Sequence, residues 1–431
     1  MSIVEHIPAI VRVLMVFILV LICIRKKLSL GNAFILGAIF LSVLFGFKPL
    51  AMLKSMVASI IDPKTLSIAG IVSLILVLSN SMEAAGQMQR LLDSFRGLVS
   101  SPRLNLAILP ALIGLLPMPG GAAFSAPMVK ELGTQSKLSG AQLSFVNYWF
   151  RHIWEHWWPL YPGILLTTII TDLSLPFIML LMCPFTIIAV WLGYRALKNS
   201  DLPGDLRTSN QQAPLRPFLK ELVPIIIAIV PGLAMGIFFS TVFPDFPISK
   251  QFGLILALCM AIGWVWYVNG TSKSGIWSML RNPRLLKMIY MIAAILIFKE
   301  ILANSHAADA VGRELVQMHV PLILIAVVLP FLVGMSSGIV IAFVGSTLPI
   351  LIPLIHSFGE SAFLPAYVML ILTGGFTGIL LSPLHLCFLL SNEHFDVSMG
   401  SVYKHLWWPC VLQLAAGIIY FGVLHWLRPW M

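Results

Sequence analysis

Runs of mostly apolar residues alternate along this chain with short polar loops. Many of the runs are about 18–22 residues long, which is the length a helix needs to cross a hydrocarbon core about 30 Å thick. Backbone groups in lipid must bond to one another, and no alternating barrel pattern is present, so we expect an all-α bundle. The predicted spans are 7–24, 30–46, 65–84, 141–170, 174–194, 218–242, 251–269, 286–304, 363–391 and 406–427.

Two further apolar segments, 104–132 and 319–356, are each interrupted by proline, glycine or serine, so we do not predict them to be simple spans. The interruptions are the strings PMPGG at 117–121 and GMSSG at 334–338. Proline and glycine stop a helix and permit a tight reversal of the chain. We therefore expect re-entrant hairpins, which are tolerated at membrane depth where protein or a water-filled cavity satisfies the exposed backbone.

The two halves of the chain repeat the same order of elements. A shift of 224 residues superposes Asn80-Ser81 on Asn304-Ser305 and Pro159-Leu160 on Pro383-Leu384, while the hairpin breaks match at a shift of 217. Each half has five crossings, an odd number, so the second half is expected to be inverted. The predicted units are a first repeat at 1–197, a cytoplasmic linker at 198–217 and a second repeat at 218–431.

The charge of the chain is a signal of orientation. The formal net charge is +10, but Lys and Arg lie in short loops between apolar segments, which argues against a nucleic-acid partner and for membrane lipid. With an outside N-terminus, eighteen Lys and Arg fall in inside loops and six in outside loops. We expect an inner-membrane protein with both termini outside and no cleaved signal peptide. The five cysteines lie in apolar segments and read as small core residues.

Inverted repeats with interrupted helices place a binding site near the membrane midplane. The span 141–170 carries Arg151 and Glu155 at spacing i, i+4, so they could pair on one helix face, with His152 and His156 on a neighbouring face. The alternative is that this tryptophan-rich stretch forms an interfacial belt. The expected ligand is a small organic anion facing Arg151. The predicted substrate-binding residues are Pro119, Gly120, Gly121, Asn147, Arg151, His152, Glu155, His156, Ser336, Ser337, Gly338 and His385.

Coupling to Na⁺ or to H⁺ is left open by the sequence, and no other cofactor is expected. Glu155, His156 and His385 are the candidates for H⁺, since histidine changes charge between pH 5 and 8. Oxygen-bearing residues near the breaks are the candidates for Na⁺. Lys299 and Glu300 either line the pathway or form a structural pair. The predicted coupling-ion residues are Asn80, Ser81, Ser125, Pro159, Asn304, Ser346, Thr347, Thr373, Thr377 and Ser382.

Two other function classes compete with a transporter. The string His152-x-x-Glu155-His156 occurs in some zinc peptidases, which gives an intramembrane metallohydrolase as one rival. A channel or a non-transporting membrane subunit is the other. We expect that the chain is not an enzyme and that it holds no resident metal.

The strings LPMPGGAAFSAP at 116–127, NYWFRHIWE at 147–155 and PLYPG at 159–163 resemble domain-of-unknown-function family 401. That family is assigned to the ion transporter superfamily, beside divalent anion/sodium symporters, gluconate permeases and C4-dicarboxylate carriers. The resemblance implies a homodimer with an elevator mechanism. The spans within 7–46 and 218–269 would then form the scaffold. The symporters carry Ser-Asn-Thr signatures at both hairpin tips, which this chain lacks, so their sodium and dicarboxylate ligands do not carry over.

Overall fold

A computed structural model describes residues 7–96, 98–99, 101–118, 120–134, 138–198 and 214–427. Its described segments fold into helices α1 to α21 with no strand among them. Within these described residues, seven helical segments are long and apolar enough to cross a membrane. The all-helical, multi-pass expectation is thereby confirmed. The long segments are Pro63–Ala84, Leu175–Arg195, Leu215–Val242, Ser249–Val268, Val340–Ser357, Ser361–Leu380 and Met399–Leu427.

In the described part of the first half there are eleven helices, of which α6 with α7 forms a hairpin and α8 with α9 a broken helix. Their bounds are α1 Ala9–Arg25, α2 Leu30–Leu44, α3 Pro49–Ile61, α4 Pro63–Ala84, α5 Gln87–Arg96, α6 Pro102–Gly114, α7 Ala122–Thr134, α8 Gly140–Arg151, α9 Pro162–Thr171, α10 Leu175–Met182 and α11 Pro184–Lys198.

Residues 214–427 contain ten helices in a similar order, with α17 and α18 as the hairpin and α19 and α20 as the broken helix. Their bounds are α12 Leu215–Val242, α13 Ser249–Val268, α14 Lys273–Leu280, α15 Pro283–Asn304, α16 Ala307–Gln317, α17 Leu322–Ser337, α18 Val340–Ser357, α19 Leu364–Leu380, α20 Leu386–His394 and α21 Met399–Leu427.

The structure differs from the predicted spans in two ways. Four helices, α3, α5, α14 and α16, lie between the predicted spans and were not anticipated. They are at most 13 residues long, too short to give the signal of a full crossing. The predicted span 174–194 is divided at Pro184, because proline removes a helical hydrogen bond.

Local sequence explains where the helices of the two hairpins and broken helices begin and end. Helix α8 begins after Ser139, whose hydroxyl accepts from the Gln142 amide while the Gln142 side chain accepts from the Ser139 amide. Helix α17 ends at Ser337 because Gly338 adopts a left-handed φ of 64°. Helix α9 begins with Pro162 at its first position, where a missing N–H costs nothing.

The helices of the two halves have matching neighbours. In the first half α6 packs on α8, and in the second α17 packs on α19. Across the halves α7 packs on α20 while α18 packs on α9, and α4 packs on α13 while α15 packs on α2. These contacts between the halves thus come in pairs in which the two partners exchange their halves.

Backbone contact between α17 and α19 depends on glycine. A Cβ atom at Gly378 would lie 2.1 Å from the Phe331 carbonyl oxygen, and one at Gly334 would lie 2.3 Å from the Gly375 carbonyl oxygen. Small residues let two helices in a membrane approach this closely. Glycine at these positions therefore allows α17 of the second hairpin to pack directly on α19 of the second broken helix.

We expect Gly378→Ala to lower the melting temperature of the detergent-solubilised protein. The added methyl group meets backbone, which cannot move aside as a side chain can, and overpacking costs about 1–3 kcal/mol. Gly422→Ala is the matched control, because a Cβ there meets no atom within 4 Å. Equal melting temperatures for the two variants would contradict this account of the α17–α19 contact.

Candidate functional site

Four chain interruptions meet in one region of the molecule. The first broken helix is interrupted between Arg151 and Pro162, and the second between Leu380 and Leu386. The first hairpin packs on α8 and α20, and the second packs on α19 and α9, so each hairpin contacts both broken helices. We call this region the break site, defined by residues 116–121, 151–162, 337–340 and 381–387.

The tip of the second hairpin touches the second break directly. A Cβ at Gly338 would lie 2.9 Å from the His385 backbone nitrogen and 3.0 Å from the Ser382 hydroxyl. At the first tip, a Cβ at Gly120 would lie 3.0 Å from the Leu390 side chain. Glycine at both tips thus permits approaches that a larger residue would prevent. Pro119 lies outside the described residues.

Aromatic side chains of the first break satisfy the carbonyl groups at the end of α6. The Trp154 indole donates to the Ala111 carbonyl at 2.8 Å, and the Trp158 indole to the Leu115 carbonyl at 2.8 Å. The Tyr161 hydroxyl donates to the Gly114 carbonyl at 2.8 Å. The last carbonyls of a helix have no partner within it, and lipid offers none. Trp154 and Trp158 thus form hydrogen bonds inside the protein, so this stretch is not described by an interfacial belt.

Arg151 is the buried cation of the break site. Its side chain is 2% exposed, and its Nη2 donates to the Met118 carbonyl at 2.6 Å. Its Nε is buried and has no hydrogen-bond partner among the described residues. A Cβ at Gly121 would lie 2.4 Å from Nη2, so the guanidinium lies against the first tip, where α7 begins.

The expected pairing of Arg151 with Glu155 is wrong. No ion pair joins the two side chains, and the Glu155 carboxylate lies instead beside the His152 ring, with 3.8 Å between Oε1 and Nε2. The reason is that α8 ends at Arg151, so the two residues no longer follow one helical turn. Arg151 therefore has no carboxylate partner within ion-pair distance in the described part of the chain.

Asn147 fastens α8 to its neighbours. Its Oδ1 accepts from the Ser125 hydroxyl at 2.5 Å, and its Nδ2 donates to the Ala122 carbonyl at 3.0 Å and to the Ser391 hydroxyl at 2.9 Å. Asn147 was expected to bind substrate and Ser125 to bind the coupling ion. The two side chains instead bond to each other, and Asn147 also bonds to Ala122 and to Ser391 on α20. In this arrangement they hold the first hairpin and α20 against α8.

His152 and His385 face each other across the two breaks. Their Nε2 atoms are 3.0 Å apart, and both side chains are at least nine-tenths buried. The His152 Nδ1 lies 2.5 Å from the Tyr148 carbonyl, and the His385 Nδ1 lies 2.9 Å from the Gly338 carbonyl. His385 therefore links the second break to the second hairpin tip, and His152 joins it from the first break.

His156 does not belong to the same group. It forms a hydrogen bond with Gln413 and packs between the rings of Phe185 and Phe376, at centroid distances of 5.8 and 4.9 Å. His152 and His156 were expected on one face, but the chain turns after Arg151 and directs them apart. The string His152-x-x-Glu155-His156 consequently does not converge on one ion, as the metallohydrolase hypothesis requires.

Most hydroxyls predicted near the breaks bond to their own helices. Thr347, Thr373 and Thr377 each donate to the carbonyl four residues earlier, at 2.8 Å. Ser346 and Ser337 do the same at 2.7 Å, and Ser336 donates to the Val333 carbonyl at 3.1 Å. This is the local bond that a hydroxyl makes in any helix. Of the predicted ion ligands, Ser382 and Pro159 do lie in the breaks.

Asn80, Ser81 and Asn304 make their hydrogen bonds elsewhere. The Ser81 hydroxyl accepts from the Trp266 indole at 2.9 Å, on α13. The Asn304 amide donates to Ser55 on α3 and to the Glu300 carboxylate. The Asn80 Nδ2 is buried without a partner in the described structure. The described residues show no ion pair between Lys299 and Glu300.

Sequence reasoning missed three residues in or beside the break site. Tyr148 is fully buried and donates to the Leu380 carbonyl at 3.2 Å, which joins α8 to the second break. Tyr161 bonds to α6, as described above. Cys387 lies two residues after His385, and its sulfur is within 4.8 Å of the ring nitrogens of His152 and His385. The spacing His385-x-Cys387 beside a proline break was the available signal.

A separate cavity lies between α9–α10 and α12–α13. Its volume is about 510 Å³, and its lining includes Lys64, Asp172, Gly236, Ser249 and Lys250. The Lys64 ammonium and the Asp172 carboxylate form an ion pair at 2.9 Å in its wall. This cavity separates helices of the first broken-helix region from the first two helices of the second half.

Comparison with known proteins identifies a family and a similar solved structure. The family model described as "Protein of unknown function (DUF401)" matches residues 9–424. No curated protein matches the chain. Among solved structures, the chain is similar to the YdaH transporter of Alcanivorax borkumensis, described as having an unusual topology. The two share 14% identity at a TM-score of 0.49, over 87% of this chain and 88% of that chain.

Proposed function

The chain belongs to the DUF401 family, and we propose that it is a secondary transporter of a small organic anion of the carboxylate type. The observation that carries the proposal is the buried Arg151 guanidinium, which has a free N–H and no carboxylate partner among the described residues. A buried charge is costly unless it is paired. A carboxylate or similar anion that binds Arg151 provides the missing partner.

The surroundings of Arg151 suit an anion. Gly121 lies against the guanidinium and directly precedes α7, so the N-terminus of that helix faces the same point. Helix N-termini carry partial positive charge and free amides, which attract negative groups. Hairpin tips and broken helices build the substrate sites of transporters in this way.

The exchanged packing of the halves supports the inverted repeats and an elevator mechanism. In that mechanism the hairpins and broken helices move as one body along a scaffold that contains α1, α2, α12 and α13. The cavity between α9–α10 and α12–α13 lies along such a boundary. We further propose a homodimer in the inner membrane with both termini outside, and membership of the wider ion transporter superfamily.

The experiment is uptake of labelled carboxylates, such as gluconate and succinate, into proteoliposomes with an imposed Na⁺ or H⁺ gradient. We expect saturable uptake that one of the two gradients drives above equilibrium. Empty liposomes and liposomes with Arg151→Gln protein are the controls. Uptake that responds to neither gradient would overturn coupled transport, and currents that do not saturate with substrate would indicate a channel.

A further inference from the structure

The facing histidines of the break site require a partner between them. A carbonyl oxygen only accepts hydrogen bonds, so the Nδ1 atoms of His152 and His385 must both donate to Tyr148 and Gly338. In a neutral imidazole the other nitrogen then carries a lone pair. Two lone pairs therefore point at each other across 3.0 Å, and a cation must lie between them for the contact to be favourable.

The surrounding groups identify the class of cation. The Cys387 sulfur lies within 4.8 Å of a ring nitrogen of each histidine, and Glu155 Oε1 lies 3.8 Å from the Nε2 of His152. All four side chains are at least nine-tenths buried. Imidazole, thiolate and carboxylate are the ligands that zinc takes in proteins. A shared proton would need the two nitrogens alone and would leave the thiol and the carboxylate without a role.

We infer that His152, His385 and Cys387 bind a Zn²⁺ ion through the two Nε2 atoms and Sγ, with the Glu155 carboxylate beside His152. In a tetrahedral zinc site with bonds of about 2.0–2.1 Å, two nitrogen ligands are roughly 3.3 Å apart. The observed 3.0 Å is within a few tenths of an ångström of that value. The Cys387 thiolate and the Glu155 carboxylate near His152 together offset the double charge of the ion.

The two backbone carbonyls act as the outer support of this site. A metal-binding histidine nearly always donates its other ring N–H to a carbonyl or carboxylate, which fixes the ring and its tautomer. Here the Tyr148 carbonyl orients His152 and the Gly338 carbonyl orients His385. The ion would join the end of α8 to the start of α20 and, through Gly338, to the second hairpin tip. This inference goes beyond the proposed function and does not depend on it.

Metal analysis of the full-length protein tests the inference. The protein is purified in detergent through an affinity tag without histidines, loaded with ZnCl₂ and dialysed, and its zinc content is measured by mass spectrometry. We expect one zinc ion per chain. Cys387→Ser and His385→Gln should bind zinc at least about 100-fold more weakly, beyond the roughly 10–100-fold effect of outer-shell changes. Cys410→Ser and His156→Gln are matched controls, because both residues are buried outside the cluster.

Cobalt substitution gives a second measurement that does not rely on variants. Co²⁺ in this site should show a thiolate-to-cobalt charge-transfer band, which Cys387→Ser abolishes and Cys410→Ser preserves. If the ligand variants fail to fold, the zinc content and the cobalt spectrum of the wild-type protein still test the proposed site. Wild-type protein that retains far less than one zinc per chain would overturn the site, and the histidines then share a proton. Zinc bound equally by wild type and Cys387→Ser would also overturn it. If the wild-type protein holds zinc but transports no anion, the proposed function is refuted and the zinc site is not.

Discussion

Replacement of Arg151 by glutamine should abolish anion binding while the protein remains folded. Truncating one partner of a buried, hydrogen-bonded charge pair costs about 2–5 kcal/mol, or roughly a 30-fold or greater loss of affinity. Glutamine retains a donor for the Met118 carbonyl but has no charge. Because the guanidinium has no carboxylate partner within ion-pair distance in the described structure, its removal should leave the ligand-free melting temperature unchanged or raise it.

The measurement is the rise in melting temperature with increasing carboxylate concentration, which reports binding to the folded state. Wild type should show the rise and Arg151→Gln should not. Arg12→Gln is the matched control, because Arg12 also donates to a backbone carbonyl, that of Leu44 at 3.1 Å, and packs over the Phe45 ring. A variant that melts earlier yet binds the anion as wild type does would assign Arg151 a structural role.

Asn147→Leu should cause the largest loss of stability. The substitution removes both polar groups of a fully buried amide and leaves the Ala122 carbonyl and the hydroxyls of Ser125 and Ser391 without their partner. Each unsatisfied buried group costs about 1–3 kcal/mol, so we expect a loss of at least about 3 kcal/mol. Denaturant unfolding in detergent, followed by tryptophan fluorescence, measures it.

Asn269→Leu provides the comparison for this prediction. The Asn269 amide also bonds in both directions, to the Val265 carbonyl and from Arg90, but it is only partly buried. Water can therefore replace its bonds, and its loss should cost much less. If the two variants unfold at the same denaturant concentration, burial of the Asn147 network is not what stabilises this region.

The sequence was sufficient to predict the helical class, and the described helices break near the prolines and glycines that it marked. Those features depend on local signals, namely apolar length, proline and glycine. It also drew attention to Arg151, His152 and His385 as candidates, because ionisable groups inside apolar segments are conspicuous. The sequence did not predict where the side chains after Arg151 point. Helical spacing placed His152 beside His156, whereas the helix ends at Arg151 and the chain turns the two side chains apart.

Contacts between distant segments were beyond the reach of the sequence. Cys387 reads as one more small core residue until the fold brings it to His152, which lies 235 positions earlier. Hydroxyl residues gave the opposite error. Thr373 and Thr377 resemble ion ligands in a list of oxygen donors, but a helix always offers a threonine the carbonyl of the preceding turn.

The two halves match in their packing but differ in how firmly their tips are fastened. Six side-chain hydrogen bonds join the first hairpin to α8 and the first break, through Asn147, Ser125, Arg151, Trp154, Trp158 and Tyr161. Among the described residues, one such bond joins the second hairpin to the second break, from His385 to Gly338. The second hairpin instead packs backbone against backbone on α19, at Gly334 and Gly378. Two halves with similar packing would thus respond differently to mutation, the first to loss of polar side chains and the second to added bulk.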